Sequence, residues 1–280
     1  MSKTMLSIGH GYSAQALAFL LVPLGWTIYG TTRSAEKAEQ LASTGVYPIV
    51  WPDTDLGPYL EKASHILTSV SPKPDGDPVL NAHADDLRNG SFDWVGYLST
   101  TGVYGNHDGA WVDEATPLAP STKRGEMRRD AEAAWTGLNL PLHIFRLAGI
   151  YGPERGPFAK VRAGTARRII KRNQVFSRIH VEDIAQVLAA SINAPRVGSV
   201  YNLCDDDPAP PQDVIGYAAQ LLGMPEPPAV DYETAEMTPM ARSFYAENKK
   251  VRNDLIKSEL GVTLKYPTYK IGLQAMLDKT

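Results

Sequence analysis

The first half of the chain alternates short apolar runs with stretches whose apolar residues recur at helical spacing. Residues 5–8, 26–31, 47–50, 66–70, 94–99 and 142–147 are rich in β-formers and nearly continuous in apolar character. Buried parallel strands have that pattern. Between them, residues 14–24 and 35–43 read as helices. Strand and helix in alternation imply right-handed βαβ crossovers and hence an α/β doubly wound parallel sheet. Such sheets bind ligands at the carboxyl ends of their strands.

Beyond Pro153 the alternation weakens. Residues 158–171 read as a basic helix, 181–193 as an amphipathic one and 212–222 as another. The expected organisation is interleaved. Residues 1–153 and 175–204 make the main domain, and 154–174 with 205–280 make a smaller lobe over its crevice.

Composition narrows the function classes. In 280 residues there are 28 basic and 31 acidic side chains, a formal net charge of -3. Nothing there drives general attraction to nucleic acid or anionic membrane. The single cysteine, Cys204, excludes an intramolecular disulfide and a Cys-based zinc cluster. The most apolar run, residues 14–24, is too short to span a bilayer and contains Pro23. It also lacks the basic start and cleavage site of a signal peptide, so a soluble, cytoplasmic protein is expected.

Gly9, Gly11 and Ala14 fit G-x-G-x-x-A between the first strand and the first helix. The first glycine permits a tight turn, the second lets backbone approach a diphosphate, and the small third residue lets helix and strand pack closely. Tyr12 and Ser13 then offer backbone N–H groups at the helix start. The second strand ends at Thr31-Thr32-Arg33 without the carboxylate that would hold the ribose 2′-hydroxyl of NAD. Arg33 suits a 2′-phosphate instead, so NADP is expected over NAD.

Three further motifs follow in order: Thr100-Thr101-Gly102-Val103-Tyr104-Gly105, the run from Arg146 to Pro153, and His180-Val181-Glu182-Asp183. Together with the glycine turn they resemble the extended and atypical short-chain dehydrogenase/reductases, the NAD-dependent epimerase/dehydratase group. The resemblance runs from Ile8 to about Leu222 and implies a Rossmann-type sheet of about seven parallel strands with a small C-terminal substrate lobe. It also implies that Thr100, four residues before the tyrosine of V-Y-G, orients a substrate oxygen. Ser69, Val70 and Ser71 would line the ribose and nicotinamide side, Gly149 and Ile150 would approach the nicotinamide, and Asp53 would face the adenine.

The family carries Tyr-x-x-x-Lys at the offset where this chain has Arg124-Gly125-Glu126-Met127-Arg128. Tyrosine there moves a proton near neutrality; arginine stays protonated and cannot. An apolar stripe of Met127, Ala131, Ala134, Trp135 and Leu138 puts Arg124 and Arg128 roughly 40° apart along its edge. The expectation is a guanidinium pair that holds an anionic substrate; arginines covering apolar surface are the alternative. The same stripe suits either pairing across a homodimer or burial in one subunit. Among the remaining proton carriers, His107 is favoured over Tyr104, Tyr151 and His180.

From Arg155 to Arg178 the chain has eight basic residues and no acidic one. Family members that act on nucleotide sugars commonly carry an arginine where this chain has Phe176, and Arg178 lies two residues later. Arg167, Arg168, Lys171 and Arg172 read as a solvated helix face. No aromatic pattern accompanies the charges, so nucleic acid is not an expected partner. The expected function is an NADP-preferring oxidoreductase or epimerase-like enzyme acting on a small anionic or carbohydrate-like molecule. The alternative is an inactive NADP(H)-binding sensor.

Overall fold

The computed structural model describes residues 3–278. The chain runs β1 (Thr4–Ile8), α1 (Tyr12–Leu21), β2 (Thr27–Thr32), α2 (Ala35–Ala42), β3 (Tyr47–Val50), α3 (Gly57–Leu60) and β4 (His65–Thr68). It continues through α4 (Pro78–Asn89), β5 (Trp94–Thr100), β6 (Trp111–Val112), α5 (Lys123–Thr136), β7 (Leu142–Leu147) and β8 (Gly149–Tyr151). Next come α6 (Phe158–Arg162), β9 (Arg168–Ile170), β10 (Arg178–His180), α7 (Val181–Asn193) and β11 (Val200–Leu203). The last elements are α8 (Pro211–Leu221), β12 (Ala229–Asp231), α9 (Pro239–Phe244), β13 (Lys250–Val251), α10 (Asp254–Ser258) and α11 (Tyr269–Asp278).

Seven strands form one sheet in the order β11-β7-β5-β4-β1-β2-β3. All its pairings are parallel. The chain leaves β1 toward β2 and β3 and then returns to β4 on the other side, so the strand order reverses between β1 and β4. A ligand crevice opens at the carboxyl ends of such a pair. This is the Rossmann-type α/β arrangement expected from the alternation.

Both faces of the sheet are covered, which is why its strands lack a polar side. On one face, Ala14, Leu17, Ala18 and Leu21 of α1 pack with Ile184, Val187 and Leu188 of α7 against Met5, Ile28 and Phe145. On the other, Val79 and Leu87 of α4 and Ala131 and Trp135 of α5 cover Leu6, Ile66, Val95 and Tyr97. Trp135 is fully buried and its indole N–H reaches Asp77 Oδ2 at 3.1 Å. Burying a side chain of that size contributes several kcal/mol, and the polar partner avoids an orphaned donor.

A separate core, built from Phe158, Val161, Ala218, Leu273 and Met276 among others, gathers α6, α8 and α11. One C-terminal segment goes elsewhere: Ile256, Val262 and Leu264 join the main core beside α7. That segment lies inside the stretch expected to belong to the lobe, yet its three apolar side chains at 256–264 find their partners in the main core.

The expected basic helix over 158–171 is corrected. It ends at Arg162, Gly164 takes a left-handed φ of 67°, and Arg168–Ile170 pairs in parallel with Ala229–Asp231. Gly164 tolerates that conformation, and the β-branched Ile169 and Ile170 favour strand over helix. The basic side chains there are tied down. Arg167 donates to the Glu236 carbonyl at 2.9 Å and Arg168 to that of Pro227 at 2.9 Å, while Lys171 donates to that of Tyr245.

Candidate active site

A crevice of about 800 Å³ runs along the carboxyl ends of the central strands and under α9. At its inner end stands the glycine turn. Gly9 has φ of 79°, and a Cβ there would lie 3.0 Å from Val70 Cγ2. Its N–H donates to Thr31 Oγ1 at 2.7 Å, and Ser69 Oγ donates to its carbonyl. Gly11 is different. A Cβ there would meet nothing nearer than the Gly9 carbonyl at 3.8 Å, so the space above it is open. Gly11 is also the N-cap of α1 and provides no capping side chain, leaving N–H groups at the helix start free for an anion.

Tyr12 and Ser13 line the crevice beside Gly11. The Tyr12 hydroxyl donates to the Pro153 carbonyl at 2.7 Å, and the Arg155 guanidinium lies 5.6 Å from its ring centre. Burial pushes the phenol up to about 12, against the pull of Arg155. His10 points the other way, into the sheet, where its Nδ1 meets Ser7 Oγ at 2.9 Å. Burial holds that imidazole down to about 4.

Ser69, Ser71, Thr100, Gly149 and Ile150 all line the crevice, whereas Val70 faces Gly9 and contributes its carbonyl elsewhere. Thr100 Oγ1 accepts the Gly102 N–H at 3.2 Å, so this hydroxyl also caps the turn after β5. Arg33 and Asp53 are exposed and lie outside this cavity. Because Thr32 pairs with Val50, both follow strands that end at the same edge of the sheet.

The helix carrying the two arginines is rotated from its expected facing. Gly125, Arg128, Ala131, Glu132 and Trp135 are its buried residues, while Ala134 is exposed. Arg128 is therefore part of the buried stripe, not at its edge. Its Nη1 donates to the carbonyls of Val70 at 3.2 Å and Leu98 at 3.1 Å and to the Tyr97 hydroxyl at 3.0 Å. Its Nη2 donates to Ser71 Oγ at 3.3 Å. Four oxygens replace the solvation that burial removes, which is what makes a charged side chain tolerable there.

Arg124 is the exposed member of the pair. It lines the crevice, and its guanidinium stands 5.9 Å from the Phe244 ring centre. Desolvation holds it below the ordinary arginine value, with the charges of Arg128 and Arg155 adding to the effect. Arg178 also lines the crevice and donates from Nη1 to the carbonyls of Phe176 at 2.8 Å and Ala209 at 3.1 Å.

His107 is not among the lining residues. Its Nε2 is 3.0 Å from the Tyr104 carbonyl and its N–H donates to the Asn248 carbonyl, which holds the loop against the C-terminal region. The structure does not bring this histidine into the crevice lining. Tyr104 is fully buried, in a network with Asn202 at 2.7 Å and Arg146 at 2.9 Å, and Arg146 pairs with the buried Glu132 at 2.8 Å. Ser99 Oγ donates to Glu132 Oε1 at 2.5 Å, so the network reaches the crevice wall.

Residues from 244–251 complete the site and were not anticipated. Lys249 lines the crevice, with Nζ 2.7 Å from Glu247 Oε2 and 2.7 Å from the Gly105 carbonyl. Burial lowers the ammonium's pKa while Glu247 raises it. The segment has no periodicity; its only sequence signal is the density of aromatic and charged residues from Arg242 to Lys250.

No family model matches the chain. A protein of Escherichia coli K12, YeeZ, is 27% identical over 95% of this chain and 97% of its own. A solved structure described as a functionally unknown conserved protein from Silicibacter pomeroyi is 58% identical, covers 99% of both chains and has a TM-score of 0.95. The structure of a putative NAD-dependent epimerase/dehydratase from Methylobacillus flagellatus is 26% identical, covers 99% of this chain and 98% of its own, and has a TM-score of 0.76. The chain thus shares the Rossmann-type fold of epimerase/dehydratase-like proteins. Human epimerase family protein SDR39U1, solved with NADPH, shares the fold at 18% identity, with coverage of 99% and 100% and a TM-score of 0.75. At the offset where the family resemblance expects tyrosine and lysine, this chain has Arg124 and Arg128.

Proposed function

We propose that the chain binds NADP(H) along the crevice and is an atypical oxidoreductase or epimerase-like enzyme for a small anionic substrate. One observation supports this above the others. The open space over Gly11, the uncapped start of α1, and Ser71, Thr100, Gly149 and Ile150 border one continuous cavity that ends at Arg124. A dinucleotide's diphosphate fits the inner end, and its ring then lies toward the arginines. A bound nicotinamide supplies two-electron redox chemistry. The chain's own contributions are the Thr100 hydroxyl, which orients a substrate oxygen, and Arg124, which fixes a negative group. Arg128 acts indirectly by holding the ends of the strands that carry Ser71 and Ser99.

NADP is favoured over NAD by Arg33 at the end of β2, where no carboxylate competes for a 2′-phosphate. Human SDR39U1 was solved with NADPH. The second reading, an inactive cofactor-binding sensor, draws on the absence of a proton-transferring residue at position 124 and on the location of His107 outside the crevice. Titration with NADPH and NADH, followed by turnover assays with aldehydes, keto acids and sugar phosphates, tests both. Absence of binding removes the proposal, and tight binding without any turnover selects the sensor.

A further inference from the structure

The outer half of the crevice has an unusual balance of chemistry. One wall is aromatic: Phe244 at the end of α9, Tyr245 beside it, and Phe176, whose ring meets that of Tyr245 edge-on at 5.3 Å. Phe244 is 54% exposed, a large apolar ring left at the mouth of the crevice. The opposite wall carries Arg124, and Arg178 stands behind Phe176 with its guanidinium 6.0 Å from that ring. Both arginines are donors only.

Carboxylate and amide acceptors are scarce. No asparagine, glutamine, aspartate or histidine lines the crevice among the described residues. Its one carboxylate, Glu247, is held by Lys249 at 2.7 Å and by the Ser121 hydroxyl at 2.9 Å. The nearby hydroxyls are few and partly engaged: Thr122 caps α5 and Ser177 accepts the Val251 N–H, each with one lone pair, and Ser243 donates to the Met240 carbonyl. A polyhydroxylated sugar buried here would have to place its many O–H donors on those few remaining lone pairs, and any left unmet would cost stability. A flat apolar face loses nothing by entering, and gains stacking on Phe244 and contact with guanidinium planes.

We infer that this outer compartment binds a flat, apolar-faced small molecule carrying a carboxylate or phosphate, an aryl anion, in preference to a sugar phosphate. Its anionic group pairs with Arg124, and its ring takes the place beside Phe244 that the guanidinium now occupies. The inference rests on the same crevice as the proposed function and names the class of molecule that function would act on.

The test is calorimetric titration of the full chain, with and without NADPH, using phenyl phosphate, inorganic phosphate and glucose 6-phosphate as probes. Phenyl phosphate should bind about tenfold tighter than either of the others. Phe244→Ala should erase its advantage over inorganic phosphate, Phe244→Leu should keep part of it, and Arg124→Ala should weaken all three. Phe244 is on the surface, so its substitution leaves the buried cores intact; thermal melts of each variant verify this. Glucose 6-phosphate binding as tightly as phenyl phosphate, an advantage that survives Phe244→Ala, or no binding of any probe would overturn the inference. Titration of NADPH alone reports on the proposed function separately, because the probes are also measured without it.

Discussion

Arg128 Nη1 lies 3.1 Å from the carbonyl oxygen of Leu98, and this bond ties α5 to the strand whose next two residues, Ser99 and Thr100, line the crevice. The same nitrogen reaches the Val70 carbonyl, so one guanidinium spans the ends of β4 and β5. A lysine in its place has a single nitrogen and cannot match that geometry. Arg128→Met should therefore destabilise the fold by about 2–4 kcal/mol, because buried oxygens lose their donor. Arg128→Lys should recover only part of that. Urea unfolding of the three proteins measures it, and wild-type stability in the methionine variant would contradict the structure's account of this residue.

The two glycines of the first turn should respond differently. Gly11→Ala meets open space, so its melting temperature should stay close to wild type, yet its methyl group enters the region offered to a diphosphate. NADPH affinity should fall about tenfold or more. Gly9→Ala imposes strain at φ of 79° and crowds Val70, so it should lose stability first. Equal NADPH affinity in Gly11→Ala and wild type would argue against a dinucleotide at this turn.

Arg33 is exposed at the end of β2, where its loss leaves the cores untouched. Arg33→Ala should weaken NADPH by about tenfold and leave NADH little changed, since only the former carries a 2′-phosphate. Fluorescence titration with both cofactors is sufficient. A parallel loss for the two would place Arg33 away from the ribose.

Asp205 gives the chain a pH signature. It is buried, its Oδ2 has no hydrogen-bond partner among the described residues, and burial raises its pKa from 3.8 to about 8. A carboxyl raised on folding contributes stability that is complete below its unfolded value and is lost as the pH climbs through its folded value. Asp205→Asn does not titrate, so it should gain on wild type progressively from about pH 4 and level off above about pH 8, by a few kcal/mol. His10 works in the opposite sense. Its folded value of about 4 lies below the unfolded 6.5, so its contribution is present above 6.5 and falls away on acidification toward 4. Comparing variant with wild type isolates the aspartate; a constant difference across that range would refute its assignment.

The sheet was legible because its strands are buried on both faces, and nothing but a doubly wound arrangement explains so many short apolar runs between helices. The glycine turn was legible for a different reason: it is local. The helix at 123–136 was read with its facing turned, since a charged residue in the buried stripe breaks the rule that stripes are apolar. Only the strand-end carbonyls of Val70 and Leu98, remote in sequence, make Arg128 acceptable there. Residues 158–171 misled because five cations suggested a wet helix, while the partner that makes β9 a strand lies some sixty residues on, at Ala229–Asp231. Phe244 and Lys249 were invisible in advance, being set by lobe packing and not by any motif.

Arg128 and Arg178 are satisfied by peptide carbonyls and hydroxyls, not by carboxylates. Dipoles solvate a cation without cancelling it, so both guanidinium groups add positive charge to the cleft of a chain that is acidic as a whole. With Arg124, Arg155 and Lys249 also on its lining and Glu247 as its one carboxylate, the cleft is rich in positive charge on a negative molecule. It should draw small anions inward at rates that decline as salt is added, while the bonds that anchor the guanidinium groups remain insensitive to it.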